Sequence, residues 1–149
     1  MRTIRLSILL ILSFFLIACT PGERIIPESA PDATGWVEID ADALSAKIAA
    51  ADDFILVVSS ETCLSCEAFR PILEDMVSTY GIVVYKIEAG AAFPADNSAF
   101  AYRFTPTVAV FRDGAAVAQV DPDRLERPFE SVERLVDWLD AYVVFPVLD

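Results

Sequence analysis

Two cysteines spaced as Cys63-Leu64-Ser65-Cys66 are the residues of this chain whose type and spacing best suit chemistry. Thiolate, not thiol, is the attacking species, and the unpaired N–H groups of a helix's first turn favour negative charge there. Cys63, at the start of a helical pattern, is therefore the expected nucleophile. Cys66 falls on the same side of that helix, one turn further in. From there it can attack a mixed disulfide formed at Cys63 and release the product, which makes it the expected resolving thiol. Glu61 and Glu67 flank the pair and oppose thiolate formation, so their charge and the helix terminus act on Cys63 in opposite directions.

Such a dithiol needs a strand to deliver it and a helix to hold it. Phe54 to Val58 is an unbroken apolar run with β-branched residues, which suits a buried central strand. Phe69, Ile72, Leu73, Met76 and Val77 then recur at steps of three and four, the spacing of a helix face. The period changes from strand to helix at the cysteines. Pro71 removes one backbone donor inside that helix and predicts a kink near Arg70.

This stretch resembles the thioredoxin superfamily. Pro71-Ile72-Leu73 falls where thioredoxins carry a proline in the active-site helix, and Thr105-Pro106-Thr107-Val108 resembles their cis-proline segment, followed by an apolar strand and the turn Arg112-Asp113-Gly114. The likeness covers about residues 36 to 143. It implies an α/β, thioredoxin-like fold, a central mixed β-sheet flanked by helices on both faces, and it implies a cis bond before Pro106. The substrate groove it implies is bordered by Thr62, Leu64, Ser65, Thr105 and Pro106. Several positions depart from the pattern. A buried aspartate usual on the central strand is Val57 here, and Lys86 stands where its lysine partner is usual, so its ammonium is expected to turn to solvent or to a neighbouring carboxylate. Thr62 and Leu64-Ser65 replace the usual tryptophan and Gly-Pro. Phe104, and Asp121-Pro122 where a glycine is usual, point to a different partner surface.

Composition narrows the function classes. With 149 residues, 55% of them hydrophobic, the chain is long enough for one domain with a substantial core. A net charge of −12 argues against a nucleic-acid surface, which needs clustered Lys and Arg. The chain has no histidine, which removes Ser–His and Cys–His catalysis and the commonest metal ligand. Zinc normally takes four ligands, so a C-x-x-C without imidazole makes a poor metal site; neither a metal nor another cofactor is expected.

The first 18 residues read as a targeting segment: Arg2 and Arg5 precede a largely apolar stretch from Ile8 to Ile17, closed by Ala18. That stretch is short for a membrane span. Leu16-Ile17-Ala18-Cys19 resembles the lipobox of bacterial lipoproteins, which implies cleavage before Cys19, its lipidation, and anchoring to the membrane of the cell envelope. Removing Arg2 and Arg5 from a chain of net −12 leaves about −14. With Cys19 occupied by lipid, Cys63 and Cys66 remain to pair with each other outside the cytosol, where disulfides persist. Residues 19–35 contain Pro21, Gly22, Pro27, Pro31 and Gly35 without periodicity and read as a flexible tether, the alternative being an ordered extension packed on the domain; residues 36–149 are expected to be the thioredoxin-like domain.

Within the domain, Trp36 to Ile39 reads as an edge strand, and Asp40 caps a helix from Ala41 to about Ala50, with Leu44 and Ile48 inward. Gly81 ends the active-site helix, and Ile82 to Ile87 is the next strand. Pro94 to about Arg103 reads as a short helix with Phe100 on its buried side. Thr107 to Phe111 and Ala115 to Val120 form a hairpin around Asp113-Gly114, and Ser131 to Tyr142 a terminal helix. Phe93, Phe100, Tyr102 and Phe104 read as core, with Tyr102 or Phe104 also able to line a partner groove.

Together these readings lead to a membrane-tethered extracytoplasmic thiol–disulfide oxidoreductase, acting as a monomer on protein thiols and disulfides and able to draw electrons from a membrane donor. The competing reading is a thioredoxin-like binding module whose Cys63–Cys66 bond is static; a bond closing so small a loop stabilises a fold only modestly.

Overall fold

A computed structural model describes residues 23–30, 35–121 and 127–146. The targeting segment, Cys19 and Pro122 lie outside the described residues. Five strands, β1 (Val37–Glu38), β2 (Phe54–Ser59), β3 (Tyr85–Glu88), β4 (Thr107–Arg112) and β5 (Ala115–Gln119), form one sheet in the order β1-β3-β2-β4-β5. β3 runs parallel to both β1 and β2, whereas β4 is antiparallel to β2 and to β5. The sheet is mixed, as expected, and β2 lies at its centre.

Alternation along β2 creates two cores. Ile55 and Val57 point to one face, where helices α2 (Leu64–Tyr80) and α3 (Val132–Leu139) contribute Phe69, Leu73, Met76, Leu135 and Leu139. Phe54, Leu56 and Val58 point to the other, under helix α1 (Ala41–Ala49) with Leu44, and under the chain carrying Phe93, Phe100 and Tyr102. The continuous apolar run of β2 therefore follows from burial on both sides.

Each helix start is capped as its sequence implies. The Asp40 carboxylate accepts from the Ala43 N–H at 2.8 Å, and the Ser131 hydroxyl accepts from the Arg134 N–H at 3.3 Å. Gly81 ends α2 in the left-handed region, at φ 58°. Helix α2 continues through Pro71, whose missing N–H leaves the Glu67 carbonyl without its usual helical donor.

Three expectations need correction. Pro94 to Arg103 is a succession of turns and bends rather than a helix. The Asn97 side chain accepts from the Ala99 N–H, and the Tyr102 N–H goes to the Ala95 carbonyl, so groups that a helix needs are otherwise engaged. Phe100 is buried all the same. Strand β3 begins at Tyr85, because Ile82 and Val83 pair with Ser29 and Glu28 instead.

The third correction concerns the stretch that composition marks as a flexible tether. Residues 23–30 lie on the domain as a strap. Ile25 is only 1% exposed and belongs to the core shared with Val143 and Leu139. Its N–H donates to the Tyr142 carbonyl and its carbonyl accepts from Val144, both at 2.8 Å. Arg24 meets Asp140 at 3.1 Å, and the Ala30 N–H reaches the Gly81 carbonyl. One buried isoleucine plus a short bridge outweighs the disorder that Pro and Gly imply. Ile25→Ala is expected to cost about 2–5 kcal/mol, seen as a lower midpoint in urea unfolding.

Candidate functional site

β2 ends at Ser59, and four residues then turn the chain into α2. The Cys63 N–H donates to the Ser60 carbonyl at 3.2 Å, and the Ser60 and Thr62 hydroxyls lie 3.2 Å apart. The Glu61 N–H is tied to the Glu88 carboxylate at 2.7 Å. Cys63 is the N-cap of α2: its sulfur accepts from the Cys66 N–H at 3.1 Å, and its carbonyl accepts from the Glu67 N–H. A sulfur in that place receives donors suited to an anion.

Cys63 and Cys66 are joined as a disulfide, with Cα atoms 5.2 Å apart. Their exposures differ. Cys63 is half-buried, whereas Cys66 is 6% exposed beneath the helix. Cys63 is therefore the more accessible of the two sulfurs.

The second wall of the site comes from the loop before β4. The Thr105–Pro106 bond is cis, and the Thr105 carbonyl oxygen lies 3.4 Å from the Cys63 sulfur. The oxidised sulfur carries no hydrogen, so this contact becomes a donated hydrogen bond only in the reduced thiol. Thr107, fully buried, donates its hydroxyl to the Phe104 carbonyl at 2.6 Å and fixes the loop from below. The structure thus brings Cys63, Cys66, Thr105 and Pro106 together. Thr62, Leu64 and Ser65 form the exposed lip of the dithiol, Leu64 at 81% exposure.

Beside the proline loop, Phe104, Arg103 and Tyr102 face Gln119 and Asp121 across an open cavity of about 380 Å³. Tyr102 is buried and donates its hydroxyl to the Phe93 carbonyl at 2.8 Å, while half-buried Phe104 packs on the α2 side of the sheet. Burial and the charge of Glu88 push the Tyr102 hydroxyl above its ordinary pKa.

Behind Cys66 lies a small cavity of about 20 Å³ lined by Trp36, Val57, Arg70 and Lys86 among others, room for a single water. Val57 and Lys86 are register partners across β2 and β3. Lys86 turns its ammonium to Glu38, at 3.0 Å, and lies 5.3 Å from the Trp36 ring centre. Sequence reasoning leaves Lys86 to solvent or to a neighbouring carboxylate, because the members of this group come from separate strands and a helix. The hydrogen bond from Lys86, then its charge, hold the Glu38 carboxyl below its ordinary pKa, with a further hydrogen bond from the Trp36 side chain. A depressed folded-state pKa means that the stabilising contribution is present above the unfolded value and is lost as pH falls through the lower folded value. For so exposed a carboxylate the contribution is small. Trp36 fluorescence is expected to change with a midpoint below the ordinary glutamate range of about 4.3, and Glu38→Gln to abolish that change.

No family profile and no curated protein matches the chain. Solved structures do. Thioredoxin f from spinach chloroplast, in its short form, superposes with a TM-score of 0.57 at 18% identity, over 74% of this chain and 95% of that one. A mutant thioredoxin from Halobacterium salinarum gives 0.57 and 18%, over 81% and 98%. The fold is thioredoxin-like. A thioredoxin f2 solved in complex with ferredoxin:thioredoxin reductase superposes with a TM-score of 0.55 at 20% identity, over 73% of this chain and 96% of that one. On this thioredoxin-like fold the C-x-x-C pair lies at bonding distance. Among the described residues, no group of three or more Cys, Asp or Glu is placed to hold a metal ion, and no helix is long and apolar enough to cross a membrane.

Proposed function

We propose that this chain is an exported, lipid-anchored thiol–disulfide oxidoreductase that exchanges electrons with protein partners through a mixed disulfide at Cys63. The observation that carries the reading is the asymmetry of the pair. Cys63 is half-exposed at a helix N-cap beside the Thr105 carbonyl, and Cys66 is buried within bonding reach of it.

In the reducing direction, the Cys63 thiolate attacks one sulfur of a partner disulfide. The partner's S–S bond breaks, its second sulfur leaves as a thiolate that takes up a proton, and a mixed disulfide forms. Cys66 then loses its proton and attacks the Cys63 sulfur, closing the internal bond and releasing the partner as a dithiol. Two electrons have passed to the partner, and a dithiol reductant, fed by a membrane electron donor, must restore Cys63 and Cys66. Run backwards, the same steps oxidise a partner. The Thr105 backbone borders the place where the partner's chain lies, and Thr62, Leu64 and Ser65 meet it from the other side. Lipid on Cys19 holds the mature protein at the membrane of the cell envelope, where it acts as a monomer.

One observation favours a second reading. With Val57 on β2, the small cavity behind Cys66 is lined by no carboxylate that could accept its proton, which suits a static bond on a binding module. Redox titration with thiol trapping separates the two. An exchange enzyme is expected between roughly −270 and −120 mV, a span of about 7 kcal/mol for two electrons. A potential below about −300 mV, with no thiol exchange, would leave only the binding module.

A further inference from the structure

The strap and the dithiol occupy opposite poles of the domain. Strap residue Glu23 offers its carbonyl to the Arg112 guanidinium, and Arg112 ends β4 where that strand meets the start of β2. Ile25 joins the chain that follows α3, and Ser29 and Ala30 join Ile82 and Gly81, just past the C-terminal end of α2. Cys63 caps the other end of α2. A helix from Leu64 to Tyr80 is about 24 Å long, which sets the separation of the two poles.

Only Thr20, Pro21 and Gly22 separate Cys19 from Glu23. Even fully extended, that chain reaches no more than about 14 Å. A lipid on Cys19 therefore cannot let the domain roam on a long tether, since the domain grips the chain again at Glu23. The surface around the strap also has apolar side chains open to a bilayer interface: Ile26 is 75% exposed, and Val117 and Val144 are 36% exposed each. Glu23, Val117 and Tyr142 border one cavity there, and Val144 is hydrogen-bonded to Ile25.

We infer that the pole formed by the strap, the β4–β5 end near Val117 and the segment after α3 faces the lipid bilayer, holding the Cys63–Cys66 dithiol on the side turned away from it. The inference rests on the lipid anchor proposed above and deepens the partner class. The disulfides that reach Cys63 belong to soluble proteins, or to domains standing clear of the bilayer by about the length of α2, and a membrane donor must present its thiols at that height.

The test uses full-length lipidated protein in phosphatidylethanolamine–phosphatidylglycerol vesicles containing rhodamine-labelled lipid. In a Cys63→Ser/Cys66→Ser background, a donor dye is attached through Val117→Cys or through Thr62→Cys. Energy transfer to the lipid dye is expected to be at least twofold stronger from position 117 than from 62. Insertion of twenty Gly/Ser residues between Cys19 and Glu23 is expected to reduce transfer from 117 at least twofold. Equal transfer from both positions, stronger transfer from 62, or no effect of the insertion, each with acyl mass present on Cys19, overturns the orientation and leaves the anchor and the redox reading standing. Mature protein without acyl mass on Cys19 overturns the anchor and the orientation together. Loss of thiol exchange in the wild type overturns the redox reading alone, because energy transfer does not depend on it.

Discussion

Cys63→Ser is expected to abolish disulfide exchange, lowering the rate on a reporter protein disulfide by about a thousandfold or more, whereas Cys66→Ala completes the first half of the reaction and stops. The asymmetry follows from position. Only Cys63 is open to an incoming sulfur, and only its side chain sits at the helix N-cap, while Cys66 lies beneath it at 6% exposure. A serine hydroxyl at position 63 is scarcely ionised near neutral pH, so the pair keeps no sulfur that a partner can reach. With Cys66 removed, Cys63 still attacks, but nothing displaces the partner, and a covalent complex accumulates that migrates with partner plus protein on a non-reducing gel. Alkylation of the reduced wild type is expected to modify Cys63 before Cys66. Trapping by Cys63→Ala with Cys66 intact, or faster alkylation of Cys66, would reverse the assigned roles.

The placement of the two cysteines is legible in the amino-acid sequence because the signals are local. A strand that is apolar on both faces, a helix face at steps of three and four, and two cysteines at the junction are all contained within Phe54 to Tyr80. The cis bond at Pro106 follows from the likeness to thioredoxins, not from residue type, since X–Pro bonds are seldom cis in folded proteins. The surroundings of Cys66 are legible only in part. The resemblance places Val57 and Lys86, but the meeting of Trp36, Arg70 and Lys86 behind Cys66 depends on the parallel pairing of β1, β3 and β2.

The strap shows the same limit more sharply. Its local composition argues for a flexible chain, and one isoleucine at position 25 carries no periodic signal. What holds it is the unpaired backbone after α3 and before β3, which nothing near Ile25 in the sequence reveals. The helix expected over Pro94 to Arg103 fails for the opposite reason. Apolar residues there are buried as a helix face would be, yet Asn97 turns the backbone locally and Phe100 and Tyr102 reach the core without a helix. Burial is legible in that stretch and backbone geometry is not.

Gly114→Ala is expected to be among the most destabilising single substitutions in the protein, although the residue lies in a surface turn. Asp113 and Gly114 both have positive φ, 51° and 72°, the conformation of a two-residue hairpin turn matched to the twist of β4 and β5. Asp113 is held there by its N–H on the Asp53 carboxylate, and Gly114 donates to the Asp52 carbonyl. The turn is thereby seated against the end of α1. A Cβ on Gly114 would lie 2.2 Å from the Ile48 carbonyl oxygen and 3.1 Å from the Ala51 Cα, both backbone atoms that no side-chain rotation can clear. Left-handed backbone costs an L-residue roughly 1–2 kcal/mol, and forcing α1 away adds about 1–3 kcal/mol, as overpacking does. The combined loss of about 2–5 kcal/mol is a large share of a typical domain's stability of about 5–15 kcal/mol, so the thermal midpoint should fall by about 5–20 °C. Gly90→Ala, where an added Cβ meets nothing within 4 Å and φ is not positive, is the control and should melt close to the wild type. The dithiol lies at the other end of β2, so the folded fraction of Gly114→Ala should exchange disulfides at the wild-type rate. A variant that melts like the wild type would show that the hairpin does not rest on α1 in solution, while one that stays folded but loses exchange would tie the two ends of the sheet together in a way that these contacts do not.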